Sequence, residues 1–431
     1  MRLSLQKAIT IALKANRDLA ATAFSLQDRR INLEVEKNDF DIQVFPAAET
    51  GVDSHGEQAE VGLSLRKKFQ NGVSLNLSPR YGSVDDRYSG RLTVGLTVPL
   101  LRGRGRKINR SHIRTSEYLL QTAGNTYLTS REQVVLDTIT TVYEIINRQA
   151  REQTYQASVK RLQREVKSAR LKAEVGLAGP LDIYRAEIEV KEAQDRYVSA
   201  QSEAMRAHNR LKVLLSLPLT TRITVSAPMV CENIDLSLEE ATAVAMERRA
   251  DLRQMRLDLD ELKRQVALAR HNLLPRADLA VTYDAYNLFD SDNTEPDEYW
   301  SIRLVSDTEL SRKREKATLS SRQLELQRKK LAVEQARERV KEEIGNRLNA
   351  LVQAEKRLHI RRRQIRQAEK KLARAAIKFR HGMADNFELI SSESDLQRSR
   401  INLLQVETDY IVGTFRLRRS MGTLLEEIPE K

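Results

Sequence analysis

Leu3-Ser4-Leu5-Gln6-Lys7-Ala8-Ile9-Thr10-Ile11-Ala12 returns later in the chain as Leu236-Ser237-Leu238-Glu239-Glu240-Ala241-Thr242-Ala243-Val244-Ala245. Both copies continue to an Asp-Leu pair, Asp18-Leu19 and Asp251-Leu252. In each, a serine stands before a helical pattern with Gln or Glu close behind, near a capping signature. Each copy then reads as one helix as far as a proline, Pro46 or Pro275, beyond which the period changes from helical to alternating. The order helix, strands, long helix, turn, helix therefore occurs twice. The first repeat covers 1–217, with strands over 44–98 and a helical hairpin over 107–215. A linker over 218–235 holds Pro218 and Pro228 and breaks the helical period. The second repeat covers 236–431, with strands over 276–305 and a hairpin over 311–422. Single repeats of this kind leave apolar faces uncovered, so they stack or assemble.

The strand regions alternate strictly. In Leu92-Thr93-Val94-Gly95-Leu96-Thr97-Val98 the even positions are apolar and the odd ones small or polar, so one face is greasy and the other is not. Val61-Gly62-Leu63-Ser64-Leu65-Arg66 and Val73-Ser74-Leu75-Asn76-Leu77-Ser78 follow the same rule. In the second repeat Ala277, Leu279, Val281 and Tyr283 alternate with Asp278, Ala280, Thr282 and Asp284, and Trp300, Ile302 and Leu304 with Ser301 and Arg303. A half-buried soluble sheet gives this pattern, and so does a membrane barrel with lipid outside and water inside. The small polar face favours the barrel, as do Tyr81, Tyr299 and Trp300 at strand ends. The first repeat holds more strand-like runs than the second.

The helices are too long for a globular domain. From Lys107 to Val175 there is no proline and one glycine, Gly124, a span on the order of 100 Å as a single helix. The counterpart runs from Arg312 to Phe379. Within it Ile344, Leu351, Leu358, Ile365, Leu372 and Phe379 fall seven apart, the spacing of a left-handed coiled-coil seam. Ala354, Ala368 and Ala375 line the companion row, which Arg361 interrupts. Glycine-containing turns, Val175-Gly176-Leu177-Ala178-Gly179-Pro180 and His381-Gly382-Met383, end the long helices, and shorter helices return to near Leu215 and Met421. Such tips commonly face partners.

Composition agrees with long helices. Charged residues make up 31% and aromatics 5%, with only 16 Gly and 9 Pro, the palette of extended helices rather than of an ordinary enzyme core. The net charge of +13 points to polyanions. The bases are nevertheless mixed with acids, as in Arg328-Lys329-Lys330 with Glu334 and Arg337-Glu338-Arg339, which reads as a solvated helix face. Cys231 is the only cysteine, which excludes an internal disulfide and a cysteine metal site. No run of 18 apolar residues exists, so no spanning helix is expected. Met1 leads directly into a helical pattern. Taken literally this means cytoplasmic; the other reading is a leader already removed or a misplaced start.

In this order and spacing the chain resembles the TolC-like outer membrane efflux family over nearly its whole length. The family's tips carry an apolar residue, Gly, then an acid six positions on. Here Gly176 is followed by Asp182, and Gly382 by Glu388. Pro99-Leu100-Leu101-Arg102-Gly103-Arg104-Gly105 looks like its strand-to-helix junction, and Ser420-Met421-Gly422-Thr423-Leu424 like the close of its last helix. The resemblance implies a mainly α fold with a membrane β-barrel portion. Duplicated helical hairpins would form a trimeric α-barrel, and strands from three chains would close one shared barrel in the outer membrane. It implies a homotrimer working with a periplasmic adaptor, an inner-membrane pump and outer-membrane lipid, located in the outer membrane and periplasm. Gly176, Leu177, Gly382 and Met383 would be adaptor-contact tips. Asp182 and Glu388 would face the pore or stabilise the tips; acids near helix N-termini also simply cap them, and the two roles stand equal. Pro99, Arg102, Gly103 and Gly105 would form the junction. Three departures are visible: the missing leader, a second junction Val305-Ser306-Asp307-Thr308-Glu309-Leu310 without Pro or Gly, and Ser391 where the family often has an acid.

Chemistry is hard to find. The histidines, His55, His112, His208, His271, His359 and His381, are scattered and make no zinc motif. Gly103-Arg104-Gly105 lacks the rest of a phosphate loop, so it reads as a turn. Arg102, Arg104 and Arg106 could instead touch lipid phosphates at the barrel rim. No acid–base pair, cofactor or metal site is expected, and the chain reads as a non-enzymatic, passive export duct for small molecules or proteins. The alternative is a soluble coiled-coil scaffold, possibly binding nucleic acid through its basic helices; it leaves the alternating strands unexplained, so no nucleic acid is expected.

Overall fold

The structure, a computed structural model, describes residues 1–431 except 54, 55, 85, 86, 176–178, 232–234, 289–296, 382–385 and 427–431. It separates into two compact units. One comprises 1–23, 126–252 and 336–431, the other 24–125 and 253–335.

In chain order, β1 (Arg2–Ser4) leads into α1 (Leu5–Ala15) and α2 (Arg17–Lys37), followed by strands β2 (Ile42–Asp53), β3 (Gly56–Lys68), β4 (Ser74–Val84) and β5 (Arg87–Pro99). A short α3 (Arg106–Asn109) precedes α4 (Ser111–Glu174), and α5 (Pro180–Leu214) returns. The second half opens with β6 (Thr224–Ser226), α6 (Leu238–Arg248) and α7 (Ala250–Asn272), then β7 (Asp278–Leu288) and β8 (Asp297–Val305). It ends with α8 (Lys313–Arg380) and α9 (Asn386–Met421).

The two serines cap as their positions predict. Ser4 accepts the Lys7 N–H. Ser237 accepts from Glu240 while the Glu240 carboxylate receives the Ser237 N–H, a complete capping box. Both helices are eleven residues long and stop at matching extended residues, Asn16 (φ −63°, ψ 126°) and Arg249 (φ −62°, ψ 127°). Here the expected single helix per repeat is two helices. The proline expectation also shifts. The helix α2 ends at Lys37, and Pro46 lies inside β2. An outer strand tolerates proline because a missing N–H on its open side breaks no ladder bond. Similarly, Arg110 separates α3 from α4, where one helix is expected.

In the first unit, Leu3, Ala8, Ala12, Leu19, Val142 and Leu211 pack in one apolar cluster, and Ile9, Val135, Ile139, Tyr143 and Val412 in a second. Strands β1 and β6 pair in parallel beside them. On α8, Ala336, Val340, Ile344, Leu351 and Leu358 are buried, as are Ala368 and Ala375 further along. The seven-residue row is thus buried at Ile344, Leu351 and Leu358 and only half-buried at Ile365 and Leu372, where the companion alanines Ala368 and Ala375 are buried instead. On α9, Gly413 leaves room for Leu351: a Cβ there would lie 2.8 Å from the leucine's Cδ2. The neighbouring buried residues Ser392, Ser399 and Thr408 return their hydroxyls to their own helix carbonyls, which lets small polar groups sit in a packed interface at little desolvation cost.

The second unit holds one antiparallel sheet of six strands in the order β2-β3-β4-β5-β7-β8. Four strands come from before α4 and two from after α7. No described helix is long and apolar enough to cross a membrane.

Candidate functional site

The register of the sheet decides what it can do. Val44 lies opposite Leu65, Leu65 opposite Leu77, Leu77 opposite Val94, Val94 opposite Tyr283, and Tyr283 opposite Trp300. A second row joins Leu75, Leu96, Val281 and Ile302. Directly paired residues share a face, so one mainly apolar face extends over all six strands, its first row apolar throughout and its second interrupted on β3 by Lys67 between Leu75 and Ile42. It has no covering layer where it is most apolar: Leu304 is 69% exposed, Trp300 70% and Ile42 65%. A contiguous uncovered patch of this kind marks a surface that meets another apolar phase. The strands are 9 to 13 residues long, the length of a tilted membrane strand.

The opposite face is polar and internally bonded. Ser64 and Ser78 hydroxyls are 3.1 Å apart, Thr282 and Ser301 hydroxyls 2.7 Å, and Thr93 donates to Asp284 at 2.7 Å. Arg80 reaches Glu60 at 2.7 Å, and the Arg91 guanidinium lies over the Tyr286 ring. These pairings tie neighbouring strands through side chains as well as through the ladder. Near the loop end of the sheet Tyr81 and Tyr88 stack, 6.2 Å between centroids.

The Pro99–Gly105 segment turns the sheet into α3. Gly103 and Gly105 both have positive φ, 87° and 107°, a region open to glycine. The Asn109 side-chain amide donates to the carbonyls of both, at 2.6 and 3.1 Å. Leu100 and Arg102 donate backbone N–H groups to Ala277 and Pro275. His271 accepts the Gly103 N–H on Nε2 at 3.0 Å. Burial and the nearby Arg102 push the His271 pKa down, which keeps that nitrogen an acceptor. The turn between β3 and β4 closes the knot, with Gly105 donating to Asn71. At Gly72 (φ 101°), a Cβ would meet the Gly103 carbonyl oxygen at 2.4 Å. Gly72 is the junction residue that the sequence reading passes over, although Asn71-Gly72 between two alternating runs is a strong hairpin signal. The second junction, 305–312, is tied by side chains instead. Thr308 accepts the Arg276 N–H and Ser306 donates to the Arg276 carbonyl; Arg312 takes a positive φ of 43°.

At the helix tips, Gly176, Leu177, Gly382 and Met383 lie outside the described residues. Asp182 is in the first turns of α5. Glu388 is in the first turn of α9, and Lys378 of α8 donates to its carboxylate at 3.0 Å.

Two polar clusters escape local sequence reading because their members are far apart in the chain. In the second unit Asp258 receives Lys329 at 2.5 Å, Tyr118 at 2.9 Å and Gln254 at 2.6 Å. Burial pushes its pKa up, but these donors outweigh burial and hold it below its ordinary value. In the first unit Arg249 binds Asp251 at 2.7 Å, Glu343 at 2.8 Å and the Ser420 carbonyl at 2.9 Å. Burial opposes its charge, and the two carboxylates more than restore it, raising its pKa. The cluster opens on a cleft lined by Glu132, Arg347, Arg416 and Arg419. Among the described residues no group of three His, Cys, Asp or Glu could hold a metal ion.

A two-faced sheet with strands of membrane-strand length, in a chain that also carries long helices, fits the class of proteins that meet a bilayer through strands. The family model described as outer membrane efflux protein matches residues 8–216 and 243–423, and the chain belongs to that family. Its function is that of an outer-membrane efflux channel, and nothing favours the nucleic-acid scaffold. Among solved structures its fold is similar to the Campylobacter jejuni CmeC outer membrane channel (TM-score 0.77, 14% identity, 99% of this chain and 87% of that one). It is also similar to the Vibrio cholerae outer membrane protein VceC (0.73, 14%, 97% and 96%) and the open state of the Neisseria gonorrhoeae MtrE outer membrane channel (0.69, 17%, 99% and 91%). No curated protein sequence matches the chain.

Proposed function

We propose that three copies of this chain assemble into one passive export duct. Their sheets close a single shared β-barrel in the outer membrane, and their duplicated helical hairpins form a tunnel in the periplasm. The observation that supports this reading is the apolar row from Val44 to Trp300 across all six strands, backed by a mainly polar opposite face. One chain leaves that sheet open. An open sheet edge is not tolerated in hydrocarbon, so the fold calls for copies of itself.

In this account the two halves, 1–217 and 236–431, are duplicated repeats joined by the 218–235 linker. Gly176, Leu177, Gly382 and Met383 are the tips that meet a periplasmic adaptor, which couples the duct to an inner-membrane pump supplying the energy. Asp182 and Glu388 stabilise or gate the tips. Pro99, Arg102, Gly103 and Gly105 carry the chain between membrane and periplasm. Opening is a population shift between closed and open tips. The cargo, small molecules or secreted proteins, is selected by the pump.

The test is the state of the protein extracted from cells that express it with a secretory leader. Outer-membrane fractions should yield a detergent complex with three times the chain mass by native mass spectrometry. Recovery as a detergent-independent monomer from the soluble fraction would end the proposal.

A further inference from the structure

The two halves supply unequal numbers of strands, four before α4 and two after α7. If the sheet of the proposed duct needed only one hairpin per half, one hairpin of the first half would be surplus and free to lie elsewhere. The register argues against that. The inner strands β3 and β4 keep Val61, Leu63, Leu65, Leu75 and Leu77 on the same face as the apolar residues of β5, β7 and β8, and β2 adds Ile42 and Val44 there, with Phe45 on the opposite face. A hairpin folded into a water-filled lumen, or standing in solvent beyond the membrane, has no use for an apolar stripe in phase with four others. Leu63 is 44% and Val61 57% exposed in this chain, so the stripe does not serve a protein core either.

The outer strands bear on the same point. Among the described residues, β2 and β8 each have a strand partner on one side only. Exposed edges in water are usually guarded by charges on the outward face or by extreme shortness. Here β2 presents Ile42 and Val44, and β8 presents Trp300, Ile302 and Leu304, on the apolar face. Every neighbouring pair in the sheet is antiparallel. With six strands, β2 and β8 therefore run in opposite directions. A second copy can set its β2 against β8 of the first as another antiparallel pair, and each added copy preserves the alternation.

We infer that β8 of each copy pairs with β2 of the next, and that all six strands of each copy stand in the wall. This rests on the trimeric duct proposed above, and it makes the barrel eighteen-stranded. At a strand spacing of about 4.8 Å and a tilt of about 40°, such a barrel has a backbone diameter of about 36 Å. Four strands per copy would give about 24 Å, and a cross-section smaller by about twofold. Barrels of sixteen to eighteen strands leave an aqueous channel rather than a filled core. The lumen wall is the polar face described above. It carries both signs of charge, with Glu60, Asp284, Arg66, Arg80, Arg91 and Arg303 all on it. The membrane portion is thus a wide mouth of mixed charge that admits bulky hydrated cargo.

Trp300 is the only tryptophan, which gives a direct test. The parent trimer is reconstituted in bilayers of phospholipid brominated on the acyl chains, and its emission is compared with that in unbrominated lipid. The same is done for Leu63→Trp, Leu77→Trp and, as the polar-face control, Asn76→Trp, each with Trp300→Phe. Trimers in which Trp300 and both leucine-site tryptophans lose most of their emission, while the Asn76→Trp variant keeps it, support the inference. Trimers in which Trp300 is quenched and both leucine-site variants are not would overturn it while leaving the duct standing. Absence of trimer together with unquenched Trp300 would overturn both. Strand counting in electron cryo-microscopy maps of the unmodified trimer guards against a variant that fails to fold: eighteen strands are expected, and twelve would refute the wider wall.

Discussion

Ser4 and Ser237 open their helices with almost the same backbone angles, φ −75° and ψ 161° against −73° and 158°. From there the two halves diverge step by step. Where the first helix ends, the first half has Asn16, neutral and buried, donating to the Leu214 carbonyl and accepting from Leu19. The second half has Arg249, holding two carboxylates. The first half then supplies four strands and the second two. The first passage from strand to helix is built on glycines at positive φ, the second on Ser306 and Thr308. Similar helical starts are thus followed by two different solutions at each of these positions. The difference teaches that the framework sets where the chain enters and leaves the sheet, while local residues decide how much sheet is made.

The contrast can be broken most severely at Gly72. A side chain there must displace the Gly103 backbone and adopt a strained φ. Gly72→Val is expected to cost about 3–5 kcal/mol, read as loss of the proposed trimer in detergent, whereas Gly95→Ala, with nothing within 4 Å of its new Cβ, should keep it. Next come the two helix ends. Arg249→Ala strands Glu343 and Asp251 beside a cleft, at about 2–3 kcal/mol once their partial exposure is allowed for. Asn16→Ala should cost about 1–2 kcal/mol. Thermal dissociation of the trimer ranks them, and the reverse order would remove the distinction between charged and neutral solutions.

The junctions give smaller effects. Asn109→Ala removes the side-chain donor to the Gly103 carbonyl, while Gly105 keeps the Ile108 and Asn109 N–H groups; it should lower stability by about 1–2 kcal/mol, whereas Thr308→Ala at the exposed second junction should cost less than about 1 kcal/mol. Equal losses would mean that the glycine turn is not the more demanding of the two. The smallest effect is a pH slope. His271 has a lowered folded pKa, so as pH falls below about 6.5 the unfolded chain takes up the proton first and stability declines. Above that pH the contribution is constant. His271→Gln should flatten the slope between about pH 6.5 and the lowered folded value, as seen in melting profiles; an unchanged slope would exonerate the Gly103 contact.

What the sequence discloses follows the range of the physics. Alternation in Leu92–Val98 or Val73–Ser78 is a two-residue signal, and it survives because one face of the sheet has to be apolar. The strand β2 carries Pro46, Glu49 and Gly51, residues an outer strand can hold and a central one would not, so its alternation is diluted and its start is displaced. The break at Asn16 has one local signal, an N-cap bond from the Leu19 N–H, whereas Arg249 is not a helix breaker and gives none. The other partners at the breaks are Leu214 in one case and Glu343 and Ser420 in the other, groups 198, 94 and 171 residues away. Asp258 is hidden in the same way, since Tyr118 and Lys329 are 140 and 71 residues from it. Gly72, by contrast, is announced by Asn71 beside it. The charge excess reads from composition alone as an affinity for polyanions, yet Arg249 and Lys329 are spent in internal ion pairs.

The central claim is that this chain makes a water-filled path through a bilayer, and ionic current tests it most directly. Purified trimer added to a planar lipid bilayer should insert and raise the current in discrete, uniform steps. Protein that is trimeric in detergent and still leaves the bilayer electrically silent, at either polarity and also with Lys378 and Glu388 both replaced by alanine, would contradict it.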